Sequence, residues 1–167
     1  YQVGFGLESG DEQVLCKNNK RLDLEKARQT ISQVSSAGIS TFGLFILGLP
    51  GENERSLKRT IDFGCRLSLD FIHVSLAIPY PGSQLFNDFI EVKQLEYIDF
   101  NDFNHTTYFP ICELPESKLR WALRLFYLRF FSTPRRTLGF THAAFRSGIS
   151  NFYKIGKAFW KGAASLQ

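Results

Sequence analysis

The chain has 167 residues, 44% hydrophobic and 22% charged, with a net charge of +4. This composition indicates a globular domain with a sizeable core and excludes a disordered chain. The three cysteines, Cys16, Cys65 and Cys112, are far apart and odd in number, which argues against a disulfide framework and favours free thiols in a reducing compartment. No apolar run approaches the roughly 20 residues of a membrane span, so we expect a cytoplasmic protein.

The first part of the chain shows a strand signal followed by a helix signal. Residues 2–7 are predicted to form a strand and residues 9–22 a polar loop. Asp23 is a suitable N-cap for a helix that extends to about Ala37, because its carboxylate can accept hydrogen bonds from the first turn. Gly38 then supplies the left-handed residue that commonly ends a helix.

Two further strand–helix pairs follow. Residues 40–47 form an apolar strand, and Asn53 can cap a helix that extends to about Leu67. The third strand covers residues 71–78 and ends at Pro79, because proline has no N–H group to donate to a ladder. Ser83 then opens a short helix. Alternation at this spacing predicts parallel strands with right-handed crossovers, and therefore an α/β fold.

The chain changes in character after the third strand. Residues 91–112 are irregular and rich in aromatic side chains, whereas residues 116–131 are strongly helical until Pro134 breaks the pattern. A second basic helix is predicted over residues 141–161. Residues 1–112 have a net charge of −4 and residues 113–167 a net charge of +8, so the charge divides near Glu113.

Alternation along the strands separates an apolar face from a small or polar one. In the first strand Gly4 and Gly6 share a face with Glu8, and in the third strand His73 shares a face with Ser75. Because a packed barrel interior prefers bulky branched side chains, small and polar inward residues predict a cavity that holds a ligand. A solvated face of an open sheet is the alternative explanation.

The ends of the strands carry candidate binding residues. Glu8 can accept hydrogen bonds from a ligand, or it can pair with a loop lysine such as Lys17 or Lys20. Lys20 can neutralise a ligand carboxylate, or it can be merely solvated. Residues 48–52, GLPGE, predict a tight turn in which glycine lets the backbone approach a ligand closely. This turn lacks the lysine of a phosphate-binding loop.

The histidines do not indicate a metal site. His73, His105 and His142 have no partners at metal-ligand spacing, so no metal ligand is assigned. A lone strand histidine such as His73 is more often a hydrogen-bonded core residue than a catalyst. No catalytic residue is assigned from the sequence.

Three segments, taken in order, resemble the second half of the core of radical S-adenosylmethionine (SAM) enzymes. They are residues 3–10, VGFGLESG, residues 37–52, which end in GLPGE, and residues 79–86, PYPGSQLF. The resemblance is closest to the branch that often has an upstream cobalamin-binding domain. It implies a partial (β/α) barrel, of which residues 1–90 form about three βα units. Residues 91–112 would connect this half-barrel to a basic, aromatic-rich helical extension at residues 113–167.

The resemblance also implies roles for individual residues. Glu8 would contact the amino group or ribose of SAM, and Lys20 would meet its carboxylate. Ile46, Gly48 and Pro50 would line the adenine site. The predicted cofactor-binding set is completed by Ser9, Leu49 and Glu52, and the predicted substrate side consists of His73, Ser75 and Tyr80.

The family holds a [4Fe-4S] cluster with the three cysteines of a C-x3-C-x2-C loop, and the cluster cleaves SAM to a 5′-deoxyadenosyl radical. This chain contains no such loop. We therefore expect a fragment, inactive alone, whose partner is the missing N-terminal half of a parent enzyme. The parent would form the radical, or would methylate through cobalamin. Its substrate, a small or lipid-like molecule, does not follow from the sequence.

Two other functions stay open at this point. The chain could be a non-catalytic βα module that binds a ligand or a partner. Alternatively, the basic residues 113–167 could contact an anionic membrane, which would place the protein at the membrane periphery, or the phosphates of a nucleic acid. In a third interpretation, these helices pack their aromatic faces on the barrel and leave their basic faces in solvent.

Overall fold

A computed structural model describes residues 1–93, 108–134, 136 and 137. Within them, the elements are β1 (Gln2–Glu8), α1 (Glu12–Lys17), α2 (Leu24–Ser36), β2 (Ser40–Leu47), α3 (Glu54–Arg66), β3 (Phe71–Leu76), α4 (Gln84–Lys93) and α5 (Glu116–Phe131). The predicted α/β class is confirmed. The second basic helix predicted over residues 141–161 lies outside the described residues.

The strands of the described residues form one parallel sheet in the order β1-β2-β3. Gly6 of β1 lies opposite Leu44 of β2, and Leu44 lies opposite His73 of β3. The parallel arrangement predicted from the strand–helix alternation is therefore confirmed. An open sheet of this kind is compatible with part of a barrel, and the barrel itself stays a prediction.

The helix boundaries follow the capping residues that the sequence indicated. The Asp23 side chain accepts a hydrogen bond from the N–H group of Lys26, and Gly38 has a φ of +74° just after α2. The Asn53 side chain and Ser56 form a reciprocal capping box at the start of α3. Each side chain satisfies an N–H group that the helix itself leaves free.

Several boundaries differ from the prediction. Helix α4 extends to Lys93, so residues 91–93 are helical although residues 91–112 were predicted to be irregular. Residues 9–22 are not entirely loop, because Asp11 accepts hydrogen bonds from the N–H groups of Gln13 and Val14 and starts the six-residue helix α1. Strand β3 ends at Leu76 rather than at residue 78. The Ala77 N–H group still donates to the Leu47 carbonyl at 2.8 Å, but Pro79 cannot extend the ladder.

Helix α5 belongs to the same hydrophobic core as the sheet. The Phe126 ring of α5 packs edge-to-face on Phe45 of β2, with ring centroids 4.9 Å apart. Gly64 of α3 makes room for this ring, since an added Cβ would lie 2.4 Å from Phe126 Cζ. This packing matches the interpretation in which the aromatic face of the helix packs on the sheet, as far as α5 is concerned. The predicted domain boundaries stay a prediction.

Two polar side chains near α5 bind the backbone of its neighbours. The Arg136 guanidinium donates to the carbonyls of Cys65, Leu67 and Leu69, and to that of Phe130 in α5. These bonds join the end of α3 to the end of α5. In addition, the Tyr127 hydroxyl accepts a hydrogen bond of 3.0 Å from the N–H group of Val74, on the side of β3 that faces away from β2.

Candidate functional site

The candidate site lies at the edge of the sheet where the parallel strands end. Glu8 is the last residue of β1, residues 48–52 follow β2, and residues 77–80 follow β3. Because the carboxyl ends of parallel strands lie at one edge, these segments come together there. We call residues 48–52 the GLPGE turn.

Glu8 has an unusual backbone conformation. Its φ is +62°, and the pairing register shifts between Gly6 and Glu8, so the strand bends at its last residue. Lys20 Nζ lies 3.4 Å from Glu8 Oε1, and both side chains are partly exposed. A Cβ on Gly6 would lie 3.2 Å from Glu8 Oε1, so this glycine leaves room for the carboxylate over the sheet. One of the two lysine pairings considered for Glu8 is therefore present.

Ser9 contacts the protein rather than the open edge. It is fully buried, and its hydroxyl lies 3.0 Å from the Thr60 hydroxyl and accepts a bond from the N–H group of Asp11. The Gly10 N–H group also donates to Thr60. Ser9 thus fixes the loop after β1 onto α3, and its predicted cofactor contact stays a prediction.

The GLPGE turn is held against α1 and the residue that follows it. Gly48 and Gly51 have φ values of +88° and +83°, which only glycine adopts easily. The Asn18 side chain donates to the Pro50 carbonyl at 3.1 Å. The aliphatic part of Lys17 covers Gly51, where an added Cβ would lie 2.6 Å from Lys17 Cδ. The helix that sequence reasoning missed therefore fixes the backbone of the predicted ligand turn.

Glu52 stabilises the GLPGE turn through a hydrogen bond within the turn. Its side chain is buried, and Oε2 accepts a hydrogen bond from the N–H group of Gly48. Burial, and to a smaller extent the charge of Asp11, raise the pKa of Glu52 to about 7, although bonds from the N–H groups of Gly48 and Leu49 oppose this shift. Oε1 has no hydrogen-bond partner among the described residues. The sequence pointed to Glu52 but not to its burial.

An apolar cluster lies beside the turn. Val14 of α1, Leu49 of the turn and Ala77 after β3 are buried together, and Ile46 and Ile111 pack against them. This cluster is separate from the main core between the sheet and α3 and α5. Ile46, predicted to line the adenine site, and Leu49, predicted to bind the cofactor, are thus brought together in an apolar wall. A ligand at this wall stays a prediction.

The predicted substrate-side residues lie on or near one face of the sheet. His73 is exposed and lies opposite Leu44, whereas Ser75 is half-buried and lies opposite Ile46. His73 is not a core residue, so the structural role considered for it does not apply. Tyr80 follows β3 and is 46% exposed. Their contact with a substrate stays a prediction.

The described residues do not offer a metal site. No group of three or more histidine, cysteine, aspartate or glutamate side chains in residues 1–93 and 108–137, apart from the undescribed residue 135, could hold a metal ion. Cys16 lies on α1, Cys65 on α3 and Cys112 before α5. This donor set does not fit an iron–sulfur cluster, which requires cysteines that converge.

The basic residues of α5 are partly paired with acidic residues of α3. Lys118 pairs with Glu54, and Arg129 Nη1 lies 2.7 Å from Asp62 Oδ1. Trp121 on the same helix is 62% exposed. In the part of the chain that the structure describes, no helix is long and apolar enough to cross a membrane. Contacts of residues 113–167 with a membrane or a nucleic acid stay predictions.

The fold and the site define an α/β protein whose polar and apolar candidate residues gather at the carboxyl edge of a parallel sheet. No family model matches the chain. The chain is 27% identical over 138 residues to an uncharacterized methyltransferase of Pyrococcus horikoshii, covering 81% of this chain and 30% of that protein. It is also 25% identical over 177 positions to the anaerobic magnesium-protoporphyrin IX monomethyl ester cyclase of Rubrivivax gelatinosus. The alignment covers 95% of this chain and 31% of that enzyme.

A third relative is the bacteriochlorophyllide d C-12(1)-methyltransferase of Chlorobaculum tepidum, 25% identical over 105 residues, which cover 62% of this chain and 23% of that enzyme. The chain is therefore homologous to segments of methyltransferases and of a cyclase. It spans about a third or less of the length of these relatives.

Proposed function

We propose that this chain is part of a radical SAM enzyme and forms one wall of its SAM and substrate sites. Three motifs support the proposal, namely the end of β1 at Glu8, the GLPGE turn and the Pro79 exit from β3, all of which lie at one sheet edge. The relatives named as methyltransferases and cyclase support an enzymatic parent. Two of these three names specify methyl transfer, so we propose that reaction class for the parent.

The observation that carries the proposal is the ion pair between Glu8 and Lys20. Its two side chains are partly exposed and lie 3.4 Å apart at the carboxyl edge. A pair of this kind is complementary to the zwitterionic end of an amino acid, because Glu8 can accept from the ammonium group while Lys20 donates to the carboxylate. An exposed pair contributes about 0–1 kcal/mol, so exchanging partners costs little.

The rest of the ligand would follow the apolar wall. Ile46 and Leu49 offer apolar surface for an adenine ring, next to the glycines of the GLPGE turn. When bound, SAM would supply the methyl or 5′-deoxyadenosyl group, and this chain's residues would bind and orient it. The cysteines of this chain do not fit the iron–sulfur cluster, so no step through a cluster is assigned to them.

The proposal is tested by the binding of S-adenosylhomocysteine to the full 167-residue chain, measured by isothermal titration calorimetry. The Glu8→Gln variant removes the carboxylate charge and should weaken binding about 10-fold or more, because a charge-assisted hydrogen bond contributes about 1.5–3 kcal/mol. Glu12→Gln changes an exposed carboxylate on α1 and is the matched control. Absence of binding by the wild type, or equal affinities of wild type and Glu8→Gln, would refute the proposal.

A further inference from the structure

Glu52 is a buried acid that the binding scheme above does not use. Its carboxyl group spans the GLPGE turn and binds the N–H group of Gly48, while the Glu52 N–H group donates to the Leu49 carbonyl at 3.0 Å. The side chain therefore sets the direction of the Gly48 peptide. Because Leu49 belongs to the apolar wall, the same side chain also fixes the position of that wall.

The charges around Glu52 favour its neutral form. Asp11, in the loop before α1, is buried and is bound by Arg59 Nη1 at 2.8 Å. The positive charge of Arg59 neutralises the negative charge of Asp11, so an ionised Glu52 would add one uncompensated negative charge. Burial raises the pKa of the Cys112 thiol, before α5, and the charge of Glu52 adds a smaller contribution in the same direction. Lys17 of α1 lies over Gly51 from the exposed side.

The Glu52 oxygen that has no hydrogen-bond partner among the described residues also favours the neutral form. Oε1 is buried and has no hydrogen-bond partner in the described part of the chain. A carboxylate oxygen without a donor carries a large desolvation cost, whereas a protonated carboxyl group carries less. Burial and charge balance therefore favour a proton on Glu52, against the opposing effect of the hydrogen bonds that it accepts from the N–H groups of Gly48 and Leu49.

We propose that Glu52 is a positioning residue that holds the GLPGE turn in its ligand-binding shape only while it carries a proton. The inference rests on the proposed function, because it assigns the turn to the SAM site. When Glu52 loses its proton to solvent, the buried charge requires water or a donor at Oε1, and the turn must open to admit it. A nucleoside ligand that packs on Leu49 deepens the burial, so its binding favours the protonated form.

The protonation of Glu52 is measured first, in the ligand-free chain. In ¹⁵N-labelled protein, the Gly48 amide resonance should titrate with a midpoint near pH 7, the value to which the pKa of Glu52 is raised. Glu52→Gln has the shape of the protonated acid, so its Gly48 resonance should not titrate, while Glu12→Gln should behave like the wild type. A wild-type midpoint below pH 5 would overturn the inference without using any variant.

The coupling between ligand binding and the protonation of Glu52 is measured as the affinity for S-adenosylhomocysteine at pH 6 and pH 8. If the ligand binds only the protonated form, a group with a midpoint near 7 makes the wild type bind about 10-fold more tightly at pH 6. Glu52→Gln should bind equally well at both pH values, with about the affinity of the wild type at pH 6. Wild-type binding that does not change with pH would overturn the coupling and leave the proposed function intact. Absence of binding at both pH values would overturn the proposed function and the coupling with it.

Discussion

Gly64 of α3 contacts Phe126 of α5, so a substitution at Gly64 tests whether α5 packs in the core. A methyl group added there would lie 2.4 Å and 2.7 Å from two ring carbons of Phe126, and 3.0 Å from Phe45 Cζ. Carbon atoms in contact are ordinarily about 3.5–4.0 Å apart, so the Gly64→Ala variant must displace the Phe126 ring. Phe126 is fully buried, and its ring has little space into which it can move.

The expected cost of Gly64→Ala is the balance of two effects. Overpacking of a dense core costs about 2–3 kcal/mol when two ring atoms clash. Alanine has a higher helix propensity than glycine by about 1 kcal/mol, which offsets part of that cost. The free energy of unfolding should therefore fall by about 1–2 kcal/mol. Urea denaturation measures this change as a lower midpoint with an unchanged slope.

A second substitution identifies the clash as the cause. Phe126→Leu shortens the side chain, and in combination with Gly64→Ala it should show a coupling energy of about 1 kcal/mol or more, because the smaller side chain accepts the methyl group. Gln33→Ala, at an exposed site on α2, is the control and should change stability by less than about 0.5 kcal/mol. A Gly64→Ala variant that is as stable as the wild type or more stable would refute the packing of α5 on α3.

Two further changes in stability follow from the half-buried Arg136 and the buried Glu52. Arg136→Ala leaves four backbone carbonyls without their donor and should lower the free energy of unfolding by about 2–3 kcal/mol in urea denaturation, whereas Arg66→Ala at an exposed site should have little effect. The pKa of Glu52 is raised to about 7 on folding, so the unfolded state loses its proton first and the wild-type chain should lose stability as pH rises from about 4.5 to 7. The loss is on the order of 3 kcal/mol and should be absent in Glu52→Gln; parallel curves for the two proteins would refute the assignment.

The elements that could be predicted are those with local causes. Residues 40–47 were predicted as a strand and form β2, because a continuous apolar run favours a strand buried in a parallel sheet. Asp23 and Asn53 cap α2 and α3, since capping depends on a side chain and the N–H groups two or three residues later. The helix predicted over residues 116–131 has the bounds of α5.

What could not be predicted depends on contacts between distant residues. The six residues of α1 are too few for a periodic pattern, although Asp11 before Val14 and Leu15 is a capping signal that would have indicated a helix. The resemblance implies a cofactor contact for Ser9, which stays a prediction, but the hydrogen bond between its hydroxyl and that of Thr60, 51 residues away, could not be read from the sequence. The burial of Glu52 likewise depends on segments far apart in the chain.

The hydrogen bond between Tyr127 and Val74 blocks one pairing position on the outer side of β3. The phenol hydroxyl of α5 occupies an N–H group that a neighbouring strand would otherwise use. At the opposite side, residues 2–4 of β1 are exposed. A longer sheet built on this one would therefore grow more readily from β1 outward. An engineered split of such a sheet into two complementing pieces should accordingly place the junction before β1, where strand pairing can be restored without disturbing α5.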